Sequence, residues 1–283
     1  MNLERLCFCI AGWHYDESVY SACCESGFDL FVISHRIPEP FTQSIPADHI
    51  FQEPNLGYDW GCYQQFIAHG LWKSYDVIFF MHDDLFIRSL DFIPHSLELI
   101  QSGAQVVGNG LNSPQVAWPR THLQCYAHSG WLPPSTAFEH QTVRGSFFAI
   151  TAQALEKIGH FEIFWDPKRV YIRFGNHSLI ATCGRLSALF GEGCFAFLSS
   201  EYRNSPYIQE EERGGPALNY SAEHSSPTLK QRLAVNFYKD LGRQYVSQRM
   251  RSQGMNTFTR SLGMILKQLD GVQRNPTFYR LNE

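Results

Sequence analysis

The chain has 283 residues, enough for one large domain or two small ones, and at 44% hydrophobic, 14% aromatic and 18% charged it can bury a core, which excludes extended disorder. A formal net charge of −4 gives no basis for a broad nucleic-acid-binding surface. The eight cysteines form no CxxC pair and several sit in apolar runs, so buried reduced thiols are expected rather than a disulfide framework or a zinc site.

In chain order, "LCFCIAGW" reads as a buried strand near residues 5–11. "DESVYSACCESG" follows as a helix, with Asp16 at its N-cap and Gly27 at its C-terminal stop. "DLFVISHR" is a second strand, which makes a β-α-β unit with a right-handed parallel crossover. "HIFQEP" is a third, short strand. "YDWGCYQQFIAHGLWKSY" is helical, with Trp60, Tyr63, Ile67 and Leu71 on one face. "DVIFFM" is apolar on both parities, as a strand covered on both sides must be. "DFIPHSLELIQSG" is a helix with Pro94 in its first turn, and "AQVVGNG" is a strand. Residues 111–142, rich in Pro, Ser, His and Trp, keep no period and read as a functional loop or insertion. "GSFFAI" is a strand, and "TAQALEKIG" is a helix capped by Thr151 and ended by Gly159. "NHSLIATCGRLSALFG" is a helix, "CFAFLSS" a last strand, and "EEERGGPALNYSAEHSSP" a loop. A helical tail of mixed charge runs from Thr228. The early alternation of strands and helices predicts an α/β fold with a mostly parallel sheet, whose ligands bind beyond the carboxyl ends of the strands.

One of those ends is "YDVIFFMHDDLFIR", where an apolar strand stops at His82, Asp83 and Asp84. Spacing by two points His82 and Asp84 the same way and Asp83 elsewhere. Such a His-x-Asp pair can touch one hard divalent cation, which keeps waters and substrate phosphates as its other ligands. Taken alone, acids after a strand more commonly cap a helix or bind turn amides. The preceding segment, "NLGYDWGCYQQF", adds Asn55, a tight turn at Gly57, and Asp59. The later segment, "VRGSFFAITAQALEKIGHFE", adds Gly145, Gly159, Phe161 and Glu162 in order.

This motif order, over roughly residues 5–200, resembles the family-2-like glycosyltransferases of the GT-A fold. The resemblance implies an α/β, GT-A-like (Rossmann-like) mostly parallel mixed sheet flanked by helices, with a C-terminal helical tail. It implies a single catalytic domain over 1–227, with a nucleotide-sugar half at 1–110 and an acceptor half at 111–227, and a helical extension at 228–283. The implied activity is transfer of a sugar from a nucleotide-diphosphate donor to an unknown glycan, lipid or protein hydroxyl, assisted by Mn²⁺ or Mg²⁺. Asp84 and His82 are then the metal residues, and Trp13, Asn55, Gly57, Asp59 and Asp83 the donor-binding ones.

Four departures from the family pattern stand out. His82 replaces the first acid of the D-x-D motif, and Thr151 stands where an arginine is usual. "ISHR" ends the second strand where an Asp is frequent, leaving His35 and Arg36 to meet base or phosphate, or to form a solvated turn. Asn176 and His177 occupy the place of the "E-D" pair that supplies the base in inverting members, so His177 is either the candidate base or a residue that caps the following helix or binds a backbone carbonyl, with Asp166, Glu139 and His140 in reserve. Trp13 or Tyr15 can floor a base, Trp118 and Trp131 can stack on a sugar, and Arg213 and His224 lie in a lid-like loop, although each is also an ordinary packing or surface residue. Two alternatives follow from these departures: a catalytically inactive GT-A-like binding protein, and a metal-dependent phosphohydrolase. The opening stretch is too short for a secretory signal and no run reaches membrane-span length, so the expected location is cytoplasmic or peripheral at the inner face of a membrane. No nucleic-acid partner is expected, and homo-oligomerisation is open.

Overall fold

A computed structural model of the chain describes residues 3–34, 45–53, 57–111, 141–163, 174–201 and 204–210, side chains excepted at 58, 174–177 and 192. Strand β1 (Leu6–Gly12), helix α1 (Glu17–Glu25) and strand β2 (Asp29–Ser34) form the expected unit, and β1 pairs with β2 in parallel. The Asp16 side chain accepts from Ser18 N at the start of α1, and Gly27 follows its end with φ +75°, a left-handed turn that suits glycine. Then come β3 (Ile50–Gln52), α2 (Tyr58–Ala68), β4 (Val77–His82), β5 (Leu85–Ile87), α3 (Phe92–Gln101) and β6 (Val106–Gly108). After the undescribed insert follow β7 (Phe147–Thr151), α4 (Ala152–Ile158), α5 (Phe174–Phe190), β8 (Phe195–Phe197) and β9 (Ile208–Glu210).

Seven strands build the main sheet in the order β3-β2-β1-β4-β7-β6-β8. All its pairings are parallel except those of β7, which runs against both β4 and β6. This is the mostly parallel mixed sheet that the motif order implied. Alternation along each strand divides the interior into two cores. Cys7, Cys9, Ile78, Phe80, Phe148 and Ile150 face one side, where α2, α4 and α5 cover them. Phe8, Ile10, Val77, Phe79, Met81 and Phe147 face the other, under α1 and α3. Strands buried on both faces have no polar parity, which is why "VIFFM" is apolar throughout.

Two expectations are refined. The helix read over 58–75 ends at Ala68, and Leu71 stands in a separate 3-10 turn, Leu71–Ser74, half-buried against the first core. Strands β5 and β9 pair antiparallel in a small second sheet that the sequence reading did not separate from the loops. Cys7, Cys9, Cys23, Cys62, Cys183 and Cys194 are buried free thiols, as expected, and Cys24 is exposed. Burial pushes Cys183 and Cys194 up to about 12, so they remain protonated. No helix among the described residues is long and apolar enough to cross a membrane. The insert from 112 to 140 and the tail from 211 lie outside the described residues.

Candidate functional site

Parallel pairing brings the carboxyl ends of β1 and β4 side by side, with Ala11 opposite His82. The chain beyond each strand therefore meets at one edge: Trp13–Tyr15 from β1, and His82–Asp84 from β4. Helix α2 adds Asp59 from its first turn. The turn before β7 closes the edge, because Ser146 O accepts from His82 N at 2.9 Å.

Asp83 turns to the α1 side and is fully buried. Its Oδ2 accepts from Trp13 N at 2.8 Å, Tyr15 N at 2.6 Å and Tyr20 Oη at 3.0 Å, and its Oδ1 accepts from His14 N at 3.1 Å. Three consecutive amides thus wrap one carboxylate, the concave arrangement that binds anions. Tyr15 takes φ +56° to complete it, a left-handed conformation costing a bulky residue on the order of 1 kcal/mol. The Tyr15 hydroxyl donates to Ser34 Oγ at 2.6 Å, and its ring stacks on Tyr20. Burial and the neighbouring Asp83 charge hold the Tyr20 phenol well above its usual range, so it stays a donor. Asp83 therefore fixes the β1–α1 loop and does not face outward.

His82 and Asp84 turn the other way, as spacing by two requires. His82 Nε2 lies 3.0 Å from Asp59 Oδ2, and His82 Nδ1 lies 3.6 Å from Asp84 Oδ1. On its other side Asp84 Oδ2 lies 3.6 Å from His14 Nε2. The result is a chain of alternating charge types, His14, Asp84, His82, Asp59, whose side chains are between 11% and 29% exposed. Burial works against the charge on His82, but its hydrogen bond with Asp59 and the facing charge of Asp84 outweigh this and raise it to about 10. Burial works against the charge on Asp84 too, and the facing His82 more than compensates, holding the carboxyl below its usual range.

Two glycines make this packing feasible. Gly57 has φ +119° at the head of α2, and a Cβ there would lie 2.6 Å from Ile163 Cγ2. A Cβ on Gly145 would lie 2.1 Å from Asp59 Oδ2 and 2.8 Å from Trp60 Nε1. Tyr63 Oη holds that turn by donating to Gly145 O at 2.6 Å. The segment carrying Ile163 is fixed in turn by Arg185, which donates to Glu162 Oε1 at 2.8 Å and to Ile158 O at 2.7 Å.

The structure thus brings together His82, Asp84, Asp59 and the Gly57 turn. Trp13 donates its backbone amide to Asp83 while its half-buried ring packs against the α2-side core. His177 falls in the first turn of α5, and its side chain is outside the description. Asn55, His35, Arg36, Trp118, Trp131, Glu139, His140, Asp166, Arg213 and His224 lie outside the described residues. Sequence reasoning missed His14. Its signal was topological: in a parallel pair, residues just beyond both strand ends are neighbours. Among the described residues no three His, Cys, Asp or Glu side chains form a ready-made metal site. Asp84 is the carboxylate here that could take a cation whose remaining ligands are water and phosphate oxygens, and His82, 3.6 Å away, could join it only as neutral imidazole.

No family model matches the chain, and no curated protein sequence matches it. Solved structures similar to it include the mannosyltransferase PcManGT from Pyrobaculum calidifontis in complex with GDP-Man and Mn²⁺, at 10% identity and TM-score 0.44, covering 95% of this chain and 81% of that one. A mycobacterial protein is similar at 14% identity and TM-score 0.42, covering 71% of this chain and 68% of the other. The mannosyltransferase Ktr4p from S. cerevisiae in complex with GDP is similar at 9% identity and TM-score 0.36, with 68% of each chain covered.

Proposed function

We propose that the chain is a glycosyltransferase that moves a sugar from a nucleotide-diphosphate donor to a hydroxyl acceptor with the help of Mn²⁺ or Mg²⁺. The observation that carries the reading is the outward pair of Asp84 and His82 at the carboxyl end of the central strand β4, backed by Asp59 and bordered by the β1–α1 loop. Asp84 is the principal residue that would hold the cation. His82 joins it once Nδ1 is free of its proton, so cation binding strengthens as pH rises. Bound there, the ion would neutralise charge developing on the departing diphosphate. Asp59 fixes the ring of His82, Gly145 leaves room for Asp59 to do so, and Gly57 makes the turn that opens α2 against Ile163. Asp83 acts through the loop that it wraps, which carries His14 to Asp84 and Trp13 to the donor side. His177 is the proposed base for the acceptor hydroxyl.

The absence of a carboxylate at 176–177 favours one second reading, a protein that binds the donor without transferring from it. Incubation with nucleotide sugars and Mn²⁺ separates the two. Release of nucleoside diphosphate that depends on Asp84 supports the enzyme, and Asp84-dependent binding with no release supports the binding protein. Phosphate release from simple esters, with no response to sugar donors, contradicts both and selects a phosphohydrolase.

A further inference from the structure

The small β5–β9 sheet begins where the candidate site ends. Leu85, the residue after Asp84, is paired with Glu210. The segment 204–210 reaches this place under definite restraints. Asn109 Nδ2 donates to Ile208 O at 3.1 Å, Glu210 N donates to Asn204 Oδ1 at 3.0 Å, and Arg88 N donates to Tyr207 O at 2.7 Å. The Glu210 side chain is only 7% exposed, and its Oε2 lies 2.6 Å from Arg144 Nε. Its other oxygen is buried with no hydrogen-bond partner among the described residues.

Arg144 opens the turn that closes the site. The next residue, Gly145, stands against Asp59 and accepts from Tyr63. The one after, Ser146, accepts from His82 N. The ion pair therefore joins β9, the partner of the strand that continues from Asp84, to the turn that backs Asp59 and His82. The Arg144 side chain is 31% exposed, and a half-buried pair of this kind is a poor source of net stability, because screening and lost solvation offset the attraction. Its better attested use is to fix register between two segments. Among the described residues, Glu210 faces Arg144 as its charged partner.

We infer that Arg144 and Glu210 are a positioning pair, which sets the Gly145–Ser146 turn against the Asp84 strand and thereby holds the Asp59–His82 hydrogen bond in place. The consequence for donor and cation binding rests on the proposed glycosyltransferase reading. The alignment of His82 does not.

The test uses the full chain labelled with ¹⁵N, and follows the ring N–H signal of His82, assigned by its loss in His82→Gln. Arg144→Gln and Glu210→Gln are each expected to shift or broaden that signal. The charge reversal Arg144→Glu with Glu210→Arg is expected to restore it. Arg5→Ala, which removes an exposed ion pair with Asp76 at the opposite edge of the sheet, is expected to leave it in place. In parallel, Mn²⁺ affinity measured with UDP and with GDP is expected to fall about tenfold in the single variants, the usual effect of losing a supporting residue behind a metal ligand, and to recover in the reversal. An unchanged His82 signal in folded single variants would overturn the inference. Should the single variants not fold, the reversal decides: a folded chain with the wild-type His82 signal supports the pair, and an unfolded or shifted one contradicts it. A wild type that binds neither Mn²⁺–UDP nor Mn²⁺–GDP counts against the functional reading and leaves the His82 result standing.

Discussion

Alternation along β4 sends His82 and Asp83 to opposite faces, and the environments there give adjacent polar residues different work. Asp83 accepts four hydrogen bonds from the β1–α1 loop and Tyr20. Replacing it by Ala strands several buried donors, each costing about 1–3 kcal/mol. Asp83→Ala is therefore expected to lose 3 kcal/mol or more, by that same order of magnitude, in urea unfolding. An equally stable variant would mean that the loop amides find other partners. His82 carries a pH prediction. Its folded pKa of about 10 lies above its ordinary 6.5, so the stability it contributes is fully present below 6.5 and is lost as pH rises through 10. The difference in unfolding free energy between wild type and His82→Gln is expected to shrink over that window by on the order of a few kcal/mol. A difference that stays constant with pH would show that His82 is not charged between its two carboxylates. His14 was hidden in "GWHY" because nothing local marks it; its meaning comes from the neighbouring strand.

At the scale of elements, the long ones were legible and the short ones were not. Strands β1, β2 and β4 are apolar runs bounded by turn residues, and α1 and α4 carry their caps in Asp16 and Thr151, whose side chains accept from Ser18 N and Ala154 N. Three-residue strands such as β5 and β9 hold too little sequence for a period of two to register. The direction of β7 was equally hidden, because "FFAIT" reads as a buried strand whichever way it runs. That direction matters to the site: only antiparallel to β4 does the start of β7 bring Gly145 and Ser146 to the edge that holds His82. Gly145→Ala places a methyl group against the Asp59 carboxylate and the Trp60 ring nitrogen. It is expected to weaken Mn²⁺-dependent nucleotide binding at least tenfold, more than its effect on the melting temperature would suggest. Unchanged binding would remove the Asp59–His82 contact from the account.

At the scale of the molecule, one mixed sheet lies between two apolar cores, and the polar groups of the candidate site gather at one edge where strand ends and turns meet. Composition and strand order carried this much from the sequence: alternating elements require a parallel sheet, and a parallel sheet exposes its loops at the carboxyl edge. Which loop touches which was not legible, because that is set by pairing between β1 and β4, which brings Asp83 to Trp13 across 70 residues of sequence. Asp84 is proposed to hold a cation beside a nucleotide diphosphate. The most direct test of this is calorimetric titration of the wild type and Asp84→Ala with UDP and GDP, each with and without Mn²⁺. Saturable binding that requires Mn²⁺ is expected in the wild type, falling at least a hundredfold in a folded Asp84→Ala, at the upper end of what losing a charged ligand removes. Binding of equal strength in the two proteins, or binding indifferent to Mn²⁺, would contradict it.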